Sequence, residues 1–113
     1  MSTDWDWDKQ RSETNWVVEN LRTEQGIKLG LKITLEVQTV AGINGDRNAY
    51  LEALKTSGHE VQTFIGEDGI ETITVLMPNA EFQADKIWVL EKHVTEIALK
   101  NGYRPDGWGF FAP

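Results

Sequence analysis

Hydrophobic and polar residues alternate most regularly over residues 29–40, where Leu31, Ile33, Leu35 and Val37 interleave with Lys32, Thr34, Glu36 and Gln38. A period of two predicts a strand with one buried and one polar face. Gly42, Ile43, Asn44 and Gly45 form the turn that follows. Asp46 then caps a helix over residues 47–56, with Tyr50, Leu51 and Leu54 as its apolar stripe. Ser57 and Gly58 end it, and residues 59–65 read as a short strand. Gly66, Glu67, Asp68 and Gly69 read as a hairpin loop, because Asp-Gly readily supplies a positive φ. Residues 70–77 return as its second strand, with Ile73, Val75 and Met77 on one face.

Pro78 is expected to close that strand and Asn79 to cap a long helix reaching Lys100. Ile87, Leu90, Val94, Ile97 and Ala98 recur along it at helical spacing, and Asn101 with Gly102 terminates it. A last strand starts at Tyr103, is interrupted by a turn at residues 105–107 and resumes over 108–111. Upstream, Ser12 and Glu13 begin a helix that runs to Gln25, with Trp16, Val17 and Leu21 as a partial apolar face and Gly26 as its stop.

After the first helix the order is strand, helix, strand, strand, helix, strand, a split βαβ unit used twice. Right-handed crossovers put both helices on one face of a four-stranded antiparallel sheet. The expected class is α+β, a ferredoxin-like sandwich. The extra helix covers either the open sheet face or an edge. The 113 residues suit a single domain: residues 1–28 a tail and helix, residues 29–113 the core.

Composition narrows the function. The net charge of −7 argues against direct nucleic-acid binding, which a basic field drives, and suits an acidic protein docking on a basic partner. Without cysteine there is no disulfide framework, thiolate nucleophile or cysteine-ligated metal. The acidic start lacks a signal-peptide pattern, and no stretch nears the roughly 18 apolar residues of a membrane span. The expected location is the cytoplasm.

The end of the chain carries the most specific pattern, Asp106-Gly107-Trp108-Gly109 leading into Phe110 and Phe111. Two weaker features accompany it. One is the helix end and strand start around Gly58, Glu60 and Val61; the other is the long final helix with Val94, Ile97 and Ala98. Over residues 30–111 the chain thereby resembles the family of regulators of ribonuclease E activity, type B. The resemblance implies a ferredoxin-like sandwich and a protein ligand that binds a bacterial endonuclease and inhibits RNA cleavage, with no chemistry of its own. It departs from the family at Pro105, before Asp106, at His59, before Glu60, and at an end without an acidic tail. These departures leave open an immunity protein against a nuclease toxin.

No catalytic constellation emerges from the residues. The only imidazoles, His59 and His93, are expected in structural or boundary roles. Their spacing to the carboxylates gives no zinc motif, so no metal or cofactor is expected. The strand aromatics Phe64, Trp108, Phe110 and Phe111 lack the basic neighbours of an RNA-stacking surface. Trp108 is expected to pack against the long helix or the first strand. Asp106 is expected to organise its turn, with Gly107 supplying backbone freedom.

The candidate partner-binding residues are Trp5, Trp7, Glu67, Asp68, Glu71 and Trp88. Trp5 and Trp7 lie either on a partner-binding tail or against a helix. Trp88 is either an interface anchor or packed on the first helix or a sheet edge. The leading expectation is a noncatalytic protein-binding regulator. A self-associating module that pairs through an exposed edge strand is a further alternative.

Overall fold

The computed structural model describes residues 5–111. Residues 1–4 of the expected tail, and residues 112 and 113, lie outside this range. The chain runs α1 (Trp7–Gln25), β1 (Lys32–Ala41), α2 (Arg47–Thr56), β2 (Glu60–Ile65), β3 (Glu71–Glu81), α3 (Ala84–Lys100) and β4 (Tyr103–Phe111). The four strands form an antiparallel sheet in the order β2-β3-β1-β4. This is an α+β fold with the ferredoxin-like arrangement.

Alternation on β1 drives the core. Ile33, Leu35, Val37 and Thr39 are buried, while Thr34, Glu36 and Gln38 on the other face are half-buried. Opposite them, Ile73 and Val75 of β3 face Tyr50 and Leu54 of α2 and Ile87 and Val94 of α3 within one apolar cluster. One polar chain crosses it. The Tyr50 hydroxyl donates to Thr39 Oγ1 at 3.0 Å, which donates to the Ile73 carbonyl at 2.7 Å. Burial pushes the Tyr50 hydroxyl up to about 12, with Thr39 pulling it partly back. Tyr50 also stacks on Tyr103, ring centroids 4.4 Å apart.

The helix boundaries reflect local chemistry. Asp46 accepts from Ala49 N at 3.1 Å at the start of α2, as expected. Gly26 ends α1 in the left-handed region, also as expected. The start of α1 is earlier than expected: Asp6, not Ser12, is its cap, accepting from Lys9 N at 2.9 Å. The buried face differs too. Gln10, Thr14 and Val18 point inward, whereas Trp16 is exposed. α1 packs along α3, within the helix layer and beside β4. The opposite sheet face stays uncovered among the described residues.

Two bulges correct the expected strand ends. β3 does not stop at Pro78. Leu35 pairs with Met77 and Ile33 with Ala80, so Pro78 and Asn79 together oppose Thr34. A bulge tolerates proline because the missing N–H has no ladder partner to lose. Asn79, at φ 62°, belongs to this bulge and caps no helix. The strand therefore carries on to Glu81, Phe82 becomes fully buried, and α3 begins at Ala84 without a side-chain cap.

β4 is likewise continuous through residues 105–107. Val37 pairs with Trp108 and Thr39 with Pro105, which leaves Asp106 and Gly107 opposite Gln38. Gly107, at φ 96°, supplies the backbone that a bulge requires. The expected turn is thus a bulge, with Asp106 exposed on it.

Candidate functional site

The seam between α1 and α3 is polar, in contrast to the rest of the core. Gln10, Thr14, Glu91 and Thr95 are all buried there. Thr14 Oγ1 donates to Glu91 Oε1 in a short hydrogen bond. Gln10 Nε2 donates to Glu91 Oε2 and to Thr95 Oγ1, both at 3.0 Å. Thr95 Oγ1 donates to the Glu91 carbonyl at 2.8 Å, and Trp5 Nε1 donates to Gln10 Oε1 at 2.8 Å. Among the described residues no buried side-chain polar atom lacks a partner.

Glu91 is 4% exposed. Burial pushes its carboxyl above the usual carboxylate range; hydrogen bonds from Thr14 and Gln10 pull it partly back, and the nearby Glu13 charge pushes it up again. The seam opens into a cleft of about 400 Å³ beside the β4 bulge. Trp5 and Trp108 line it together with Asp6, Lys9, Glu13 and Glu91. Asp6, Lys9 and Glu13 are exposed. The sequence does not point to this set as one site. Its members are separated by most of the chain, and buried glutamine and threonine leave no apolar periodicity to read.

The expected partner-binding residues are not one cluster. Trp5 and Trp7 are half-buried at the start of α1. Trp7 meets Trp88 edge-on, ring centroids 6.2 Å apart, with Lys92 Nζ 5.6 Å from the Trp7 ring centre. Trp88 is only 8% exposed, which rules it out as an exposed anchor and seats it against α1. Glu67 and Asp68 are exposed at the β2–β3 hairpin tip. Asp68 Oδ1 accepts from Ile70 N at 2.9 Å, and Gly69 has φ 80°, as the Asp-Gly pattern predicts. Glu71 is already paired, receiving Arg47 Nε at 2.9 Å and Arg47 Nη2 at 3.0 Å. This contact holds the Glu71 carboxyl below its ordinary value.

The hairpin carries a feature missed at the sequence level. Phe64, Ile65 and Ile70 are 69%, 64% and 55% exposed. Phe64 and Ile70 line a shallow groove on the uncovered sheet face with Val40, Asp68, Arg104 and Asp106. Exposed apolar groups beside charges are the usual make-up of an interaction surface.

The family-motif residues have structural roles. Gly58, at φ 82°, turns the chain out of α2, Glu60 opens β2 on the surface and Val61 packs against the core. Trp108 packs on the core through the face that opposes Val37, near Phe110, while Gly109 pairs with Glu36. His59 and His93, expected in structural or boundary roles, meet with Nε2 atoms 3.0 Å apart. Burial, then the His93 charge, lowers the pKa of His59. Among the described residues no group of three or more His, Asp or Glu is arranged to hold a metal, and no helix is long and apolar enough to cross a membrane.

No protein-family model and no curated protein matches the chain. The functional reading therefore rests on the geometry and on the motif resemblance.

Proposed function

We propose that the chain is a noncatalytic, acidic protein-binding regulator that acts in the cytoplasm on a nuclease. The endonuclease implied by the resemblance to the type B regulators of ribonuclease E activity is the first candidate. The observation that carries this reading is the β2–β3 hairpin, where Phe64, Ile65 and Ile70 stand exposed beside the acidic tip Glu67 and Asp68. A nuclease holds phosphates with a basic surface. On the uncovered face, Phe64 and Ile70 stand with Asp68 and Asp106, and with Arg104 as the one cation; this mainly acidic, partly apolar surface complements a basic one, and a net charge of −7 steers the encounter. Covering that surface would block RNA without any chemistry by the inhibitor.

The test uses a purified ribonuclease E-type endonuclease and an RNA substrate. The protein is expected to slow cleavage, and Phe64→Ser is expected to remove the effect while leaving thermal stability intact. Undiminished cleavage at saturating protein would refute this target. Protection against a nuclease toxin domain in the same assay would assign immunity instead.

One observation favours a second reading. β2 lies at the sheet edge, its outer side unpaired among the described residues, and it presents Phe64 and Ile65. Such an edge can pair with a second copy. Sedimentation showing a concentration-dependent dimer that Phe64→Ser abolishes would support self-association; a monomer at all concentrations would remove it.

A further inference from the structure

The cleft between α1, α3 and the β4 bulge holds an ionisable group that packing does not explain. Glu91 is buried, yet its side-chain partners are Thr14 and Gln10, both neutral. The ion pairs among the described residues are Arg11–Asp85, Arg22–Glu19 and Arg47–Glu71, and Glu91 belongs to none of them. A buried carboxylate without a counter-charge is costly, and an apolar side chain would fill the same place without that cost. Nearby positions on the same helix, Trp88, Val94 and Ala98, are filled in that way.

The surroundings select a class of ligand. Each carboxylate oxygen of Glu91 accepts one side-chain hydrogen bond, which leaves acceptor capacity on both. Trp5 and Trp108 line the cleft, and an indole face attracts a cation. The hydrogen bond from Trp5 Nε1 to Gln10 helps to fix the Trp5 ring. At the mouth, Asp6 and Glu13 outweigh the single cation Lys9. An anion would meet three carboxylates. A neutral apolar group would fill the space but leave Glu91 without its counter-charge. The volume of about 400 Å³ falls within the range of small-ligand sites.

We propose that this cleft receives one basic side chain, lysine or arginine, from a partner protein, with its alkyl stem against Trp5 and Trp108 and its cationic end toward Glu91. The proposal rests on the protein-binding reading only for the source of the cation. It uses none of the hairpin residues, so the two can fail separately.

The experiment titrates the protein with Nα-acetyl-lysine amide, Nα-acetyl-arginine amide and the neutral Nα-acetyl-norleucine amide. The readouts are the indole N–H resonances of Trp5 and Trp108 and tryptophan fluorescence. A basic amide is expected to give saturable shifts with a Kd on the order of 1 mM, a range suited to a single side chain. The norleucine amide is expected to bind at least about tenfold more weakly, a factor that one good charged contact supplies. Glu91→Gln should abolish the preference for the cation. The exposed Glu13→Gln, which leaves the buried network in place, should weaken binding a few-fold and keeps the test valid if Glu91→Gln fails to fold.

Equal binding of norleucine, or no shift with either cation up to roughly 50 mM, would overturn the proposal. A short peptide with one central lysine separates the sources. Tighter binding than the free amide supports a protein-borne side chain. Weaker or equal binding overturns that source in favour of a small free cation.

Discussion

On the sheet side of α3, Ile87, Val94 and Ala98 meet Leu35, Val37, Ile73 and Val75 in an apolar cluster with Tyr50–Thr39 as its internal polar link. On the α1 side, the same helix sets Glu91 and Thr95 against Gln10 and Thr14. The first interface gains from burial in proportion to area and tolerates no empty space. The second depends on every hydrogen bond being made, because each lost partner strands a desolvated polar group. The contrast separates the parts of this molecule: the sheet side holds the fold, and the α1 side holds a buried carboxyl with no ion-pair partner among the described residues, beside an open cleft.

The largest expected effect breaks the apolar side. Ile73→Ala should lower stability by about 2–5 kcal/mol, the cost of lost burial plus a cavity. Urea denaturation checks this; a loss near zero would mean that β3 is not central to the core. On the polar side, Thr14→Val should cost about 1–3 kcal/mol by withdrawing a donor from Glu91. Adding Glu91→Leu to Thr14→Val should cost less than the two single changes summed, since the stranded acceptor is then gone while Gln10 keeps Thr95 as an acceptor. If the two changes merely add, the network account fails.

A pH series sharpens the same contrast. The carboxyl of Glu91 is raised in the folded state, so the folded protein holds that proton more tightly than the unfolded chain. Its contribution is fully present below the ordinary carboxylate value and is lost as pH rises through the raised one. Glu91→Gln should therefore flatten the decline in stability above about pH 4.5, the ordinary value for the unfolded chain. Glu71 acts with the opposite sign, because Arg47 lowers its pKa and its contribution is lost as pH falls. The smallest stability effect belongs to this exposed pair: Arg47→Ala should cost less than about 1 kcal/mol, measured by thermal melting.

Much of the fold was legible because local signals agreed with one another. The alternation on β1, the Asp46 cap, the Asp68-Gly69 hairpin and the final glycine stop each point to the same strand and helix order. The errors have physical causes. Pro78 reads as a strand end, yet a bulge absorbs it and carries Phe82 into the core. α1 buries glutamine and threonine where a periodicity search expects leucine, so its start and its inward face were displaced. The cleft and the His59–His93 contact join residues remote in sequence, and only the packing of α1 and α2 around α3 reveals them. The hairpin acids were legible; the exposed Phe64, Ile65 and Ile70 beside them were not, because the same residue types also build buried strands.

The most direct test of the regulatory account is the affinity of the protein for a purified ribonuclease E-type endonuclease, measured by calorimetry at low and high salt. The comparison protein carries Glu67→Lys and Asp68→Lys, both at exposed positions, and should lose no more than about 1.5 kcal/mol of stability, the worth of the Asp68–Ile70 turn hydrogen bond. The account predicts binding that weakens with salt and falls at least about tenfold on charge reversal. Binding unaffected by salt and by the reversed hairpin, or no binding at all, would contradict it.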